Sequence, residues 1–146
     1  MFGTVFSVIS FCSALFAIFI GLFNARNTRM SIVKEYFLQG DSKEHKDNRA
    51  QIYDIYNKNN DEEAIVNALL EKSEIASKVV SFYDVWAMFV KKHYLPLWTF
   101  KGIVGDTAVN MHNKLKPYIE HRRNDMKNYA AQFEWLARKI KSKYGR

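Results

Sequence analysis

Apolar residues run without a single charge from Met1 to Phe23, and small ones recur there in steps of four and three: Gly3, Ser7, Ser10, Ala14, Ala17, Gly21. A stretch this long and this apolar crosses a bilayer as one helix. At about 100° of rotation per residue the six small positions fall within an arc of roughly 80°. Phe16, Phe19 and Phe23 lie on the other side. Small residues let a second helix approach closely in lipid, so this stripe reads as a helix-packing seam. Steps of four and three resemble a left-handed heptad seam.

Beyond Phe23 the apolar period stays helical. Ile32, Val33, Tyr36 and Phe37 continue the first helix to Gly40, a natural C-terminal residue. Asp41 or Ser42 is placed to cap a second helix carrying Ile52, Ile55 and Tyr56, which ends in the Asn57 to Asn60 cluster. Asp61, Glu62 and Glu63 set acids in the first turn of a long third helix, where the dipole favours them. Its stripe, Ile65, Leu69, Ile75, Val79, Phe82, Trp86, Phe89 and Val90, has one wider step around Lys72. That helix is expected to end near Tyr94, ahead of Pro96, and Pro96 to open a short turn with Leu97, Trp98 and Phe100. Gly102 to Gly105 predicts a corner. Asp106 or Thr107 would cap the next helix, bearing Val109 and Leu115 and interrupted by Pro117. Tyr129, Phe133, Leu136 and Ile140, spaced four, three and four, mark a last amphipathic helix. No strict alternation extends over six positions, so strands are not expected.

The pattern predicts an all-α chain: a single N-terminal transmembrane helix (1–23), a juxtamembrane helix continuing it (24–40), and a small cytosolic helical bundle (41–146) ending in a basic helix. With two Pro and six Gly in 146 residues, neither a turn-rich β fold nor a flexible linker fits. The one cysteine, Cys12, lies inside the expected span, in keeping with a chain that uses no disulfides.

Charge adds direction and a second feature. Arg26, Arg29 and Lys34 follow the span directly, which by the positive-inside rule puts the N-terminus outside and the rest in the cytoplasm. A cleaved signal peptide is not expected, since the first basic residue is Arg26. From Asn24 to His112 twelve basic residues balance twelve acidic ones, so the whole net charge of +7 sits in the last 34 residues. Arg138, Lys139, Lys141, Lys143 and Arg146 form its densest part. Such an excess favours anionic partners: phospholipid headgroups, nucleic acid or an acidic protein face.

Catalytic chemistry has little to work with. His45, His93, His112 and His121 form no H-x-x-H or H-x-x-x-H pair, so the common helical metal spacing is missing. His121 and Asp125, four apart, read as a solvated polar cap beside Arg122 and Arg123. Gly102-Ile103-Val104-Gly105 lacks the Lys-Ser/Thr of a phosphate loop. No cofactor site, metal site or catalytic set is expected, and the chain does not read as an enzyme.

Ile20-Gly21-Leu22-Phe23 with Arg26 and Arg29, Phe82-Tyr83-Asp84, and Phe133-Glu134-Trp135-Leu136-Ala137 resemble an uncharacterised prokaryotic family. Its members join one N-terminal transmembrane helix to a small helical domain of unknown function. The resemblance implies a bacterial inner-membrane protein and supplies no catalytic residues. The expected function is a single-pass membrane protein that self-associates or docks a membrane partner and presents a helical interaction domain to the cytoplasm. Two other readings share these features: a membrane-disrupting effector of bacterial conflict, and a membrane-tethered nucleic-acid binder.

Overall fold

In the computed structural model, the backbone is described for residues 2–145 and the side chains for residues 13–145. The described residues form six α-helices and no strand: α1 (Phe2–Gly40), α2 (Lys43–Lys58), α3 (Glu62–Glu71), α4 (Ser73–Lys91), α5 (Ile103–Arg122) and α6 (Ala131–Tyr144), with a 3₁₀ turn at Leu97–Phe100. At 1.5 Å per residue, α1 is about 58 Å long.

Among the described residues, α1 enters the bundle by its C-terminal end. Residues 13–31 are exposed, and burial begins with Val33 and Tyr36. The Tyr36 ring meets Trp86 at 5.3 Å, Phe82 at 5.8 Å and Phe100 at 5.1 Å between centroids, so an aromatic socket grips the helix. Burial, helped by nearby Tyr83, pushes the Tyr36 hydroxyl far above the ordinary tyrosine range. Arg49 Nη2 donates to the Gly40 carbonyl at 3.2 Å, satisfying one of the open acceptors at the end of α1.

Local chemistry sets the starts of α2 and α3. Ser42 Oγ accepts from His45 N–H, and Asp61 Oδ2 from Ala64 N–H, each at 3.2 Å. The expected long third helix is two helices. It breaks at Lys72 (φ −97°, ψ 33°), where the apolar stripe takes its wider step. The break lets α3 and α4 each turn a separate apolar face to the core.

Three further expectations are corrected. α5 begins at Ile103, behind Gly102 at φ 72°, and not at an Asp106 or Thr107 cap. It also runs through Pro117 to Arg122. A proline cannot donate to the carbonyl four residues back, and its ring crowds the preceding turn. The carbonyl left without a helical donor is that of Asn113; one residue on, the Lys114 carbonyl accepts from the Tyr56 hydroxyl, which ties this stretch of α5 to α2. Gly105 sits inside α5 because a Cβ there would strike the Phe100 carbonyl oxygen and reach Ile140 Cγ2 at 3.0 Å. The last helix starts at Ala131, leaving Tyr129 in the preceding turn.

The core is centred on α4. Ala76, Val79, Val80, Tyr83 and Ala87 are buried there against Leu115 and Tyr118 of α5 and Phe133, Leu136 and Ile140 of α6. Tyr83 stacks on Phe133 with centroids 4.7 Å apart and planes 11° from parallel. Phe82-Tyr83-Asp84 and the Phe133 segment, distant in sequence, are therefore one packing unit.

Candidate functional site

Among the described residues no helix is long and apolar enough to cross a membrane. The side chains of residues 1–12, which belong to the expected 1–23 span, lie outside them. From residue 13 to Phe23, what is described of α1 is a bare apolar cylinder. Leu15, Phe16, Ile18, Phe19, Ile20, Leu22 and Phe23 are 43–67% exposed, with nothing packed over them. Of the expected seam, Ala14, Ala17 and Gly21 are exposed, and a Cβ added at Gly21 would meet nothing within 4 Å. Gly3, Ser7 and Ser10 are helical in backbone, and their side chains lie outside the described residues.

The expected basic patch is split by the fold. Arg138, Lys139, Lys141 and Lys143 are all exposed on α6, and Arg146 lies outside the described residues. Lys141 turns toward α5, where its Nζ donates to Asn113 Oδ1 at 3.3 Å. Lys143 folds over the Tyr144 ring at 5.7 Å. Lys139 points the other way, into a cleft of about 590 Å³ shared with Arg29 of α1, Val90 and Lys91 of α4, His93 and the segment Leu95 to Leu97, and Trp135. Three basic side chains and a histidine from separate parts of the chain converge there. Lys91 Nζ lies 5.9 Å from the Trp135 ring and 3.2 Å from Gln132 Oε1. Of the six ion pairs among the described residues, none involves Arg29, Lys91 or Lys139.

The cleft wall is formed by the way α4 ends. His93 N–H donates to the Val90 carbonyl and Tyr94 N–H to the Phe89 carbonyl, with His93 at φ 62°. This is the Schellman arrangement, in which glycine is the usual left-handed residue. The Tyr94 ring packs against Phe89 at 6.1 Å, the apolar contact that accompanies the motif. A histidine accepts the strained backbone here and puts an imidazole, not a hydrogen, on the cleft. Lys91-Lys92-His93 ahead of Pro96 was the sequence signal for this wall. Arg29 and Lys139 join it only through the tertiary fold.

The remaining histidines are structural or solvated. His45 is 7% exposed, lies 3.8 Å from the Phe82 ring, and is held to a pKa of about 4, first by burial and then by Arg49. His112 packs edge-on against Phe133 at 5.2 Å, and burial lowers its pKa. His121 stands near the end of α5 while Asp125 lies beyond it, so the two do not share a helical face. Among the described residues no three His, Cys, Asp or Glu side chains gather as metal ligands.

No curated protein and no solved structure matches the chain. A family model described as a domain of unknown function matches residues 4–140, from the expected span through most of α6. The match unites the bare helix and the bundle in one unit, and the chain belongs to that uncharacterised family, DUF4760.

Proposed function

We propose that this chain is a single-pass membrane protein, N-terminus outside, that self-associates or docks a membrane partner through α1 and presents the α2–α6 bundle to the cytoplasm. The location it fits is the inner membrane of a bacterium. One observation carries the reading: seven large apolar side chains of residues 15–23 stand uncovered on a single helix. Burying a side chain of this size stabilises by about 1.5–3 kcal/mol, so leaving seven in water forgoes on the order of 10 kcal/mol. Residues 1–12 extend the same run without a charge. Arg26, Arg29 and Lys34 directly after it support the orientation. The stripe Gly3, Ser7, Ser10, Ala14, Ala17, Gly21 supplies the packing face.

Alkaline carbonate extraction of membranes from cells making the full chain tests this. The protein is expected in the pellet, with a C-terminal tag digested only after the cytoplasmic side is opened. Release into the supernatant would overturn the proposal.

A further inference from the structure

The cleft between α1, α4 and α6 lies at a defined height on the molecule. Arg29 is six residues past Phe23, the last residue of the uncharged run. At 1.5 Å per residue it stands about 9 Å beyond the hydrocarbon edge. The polar layer of one leaflet is about 5–8 Å thick, and long basic side chains reach several ångströms toward it. The cleft therefore opens at the level of the lipid headgroups. Its lining fits that level: Arg29, Lys91 and Lys139 are cationic, Trp135 is amphipathic, and no acidic residue is among the lining residues. On the same connecting segment Tyr94 and Trp98 are 58% and 54% exposed. Tyrosine and tryptophan are the side chains that settle at a membrane interface.

The geometry points to a binding site for an anionic phospholipid headgroup, formed by Arg29, Lys91, His93, Trp135 and Lys139, resting on the membrane-spanning reading of α1. Lys91 and Lys139 contact the phosphodiester from opposite walls, and Arg29 offers it a planar pair of donors. Trp135 closes the floor beside Lys91. The site differs from a general attraction of the basic C-terminus to lipid, because Lys141 and Lys143 are engaged elsewhere. It ties the bundle to the surface beside its own anchor and so sets the tilt at which the interaction domain is displayed.

The test uses the full chain in lipid nanodiscs, with Trp98→Phe so that buried Trp86 and cleft Trp135 remain. Phosphatidylglycerol is raised from 0 to 30% in phosphatidylcholine while tryptophan emission is recorded. A saturable emission change with phosphatidylglycerol is expected, and Lys91→Gln with Lys139→Gln should shift its midpoint at least fivefold. Lys143→Gln, on the same helix, should shift it less than twofold. Circular dichroism checks that each variant keeps its helices, and Arg29→Lys serves as a milder third variant. Equal responses in the two lipids, or equal shifts for the Lys143 and cleft variants, would overturn the site and leave the span intact. An equal response to millimolar inorganic phosphate in pure phosphatidylcholine would make free phosphate the ligand and overturn the lipid assignment. Failure of the chain to enter the discs would overturn the span and this site together.

Discussion

Asp84 of α4 caps α6: its Oδ1 accepts the Phe133 backbone N–H at 2.8 Å. The helix has no side-chain cap of its own, since Ala130 precedes it in the left-handed region at φ 57°. A residue 49 positions away thus supplies what Ser42 and Asp61 supply locally for α2 and α3. Its carboxylate also faces the positive end of the α6 dipole. The same contact sets the Tyr83–Phe133 stack in register.

Asp84→Ala removes the acceptor and strands a part-buried N–H. The expected loss is about 1–2 kcal/mol of stability. Asp84→Asn keeps an oxygen in place and should lose only the charge–dipole part, about 0.5 kcal/mol. Thermal unfolding in detergent, followed by circular dichroism, measures both. Equal losses for the two variants would show that charge and not the hydrogen bond matters.

Gly105→Ala is expected to be the costlier change despite adding one methyl group. The new Cβ would collide with the Phe100 carbonyl oxygen, which belongs to backbone and has little freedom to move. Ile140 Cγ2, at 3.0 Å, blocks relief on the α6 side. Overpacking of this kind costs about 1–3 kcal/mol. Gly21→Ala, with nothing within 4 Å, is the matched control and should leave bundle stability unchanged.

His45 gives the bundle a pH dependence of definite sign. Its folded pKa is about 4, below the ordinary 6.5. Burial is the main cause and Arg49 the second, while Glu44 pulls the other way. Lys78 of α4 also lines the adjoining cleft. Between pH 6.5 and 4 the unfolded chain binds a proton that the folded chain resists, so stability falls as pH drops through that window. The slope approaches about 1.4 kcal/mol per pH unit for one such group. His45→Leu should flatten the change between pH 7 and 5, measured by denaturant unfolding at each pH. An unchanged slope in the variant would place the titration elsewhere.

The parts of the fold legible in the sequence are those determined over a few residues. Gly40, Ser42, Asp61 and Pro96 each act on the turn beside them, and helices end or begin there as expected. The step in the apolar stripe at Lys72 was visible too, yet periodicity alone does not separate one helix with a phase slip from two helices with different partners. Pro117 misled for the opposite reason. Its local effect is to break a helix, and the burial of Leu115, Tyr118 and Ile119 on either side of it holds the turn in the core. The Asp84 cap and the Arg29–Lys91–Lys139 cleft depend on residues brought together by packing, and no spacing in the chain encodes them. The basic run on α6 was legible as charge, while its division between Lys139 on one side and Lys141 on the other follows from which face of α6 is buried.

The small-residue stripe of α1 makes its own prediction about assembly. Val33 and Tyr36 mark the face of α1 that the bundle covers. On an ideal helix the centre of the stripe lies about 90° around from that face. The bundle therefore leaves the stripe open to a second helix in lipid, where close packing of small residues is the main attraction. Ser10→Ile or Ala14→Ile inserts a branched side chain into that approach and should lower association severalfold in a membrane two-hybrid assay. Phe16→Ile, on the far side of the helix, should leave it within twofold of wild type. The same ranking is expected in the full chain by chemical crosslinking at matched expression. If all three variants associate alike, the stripe is not the packing face.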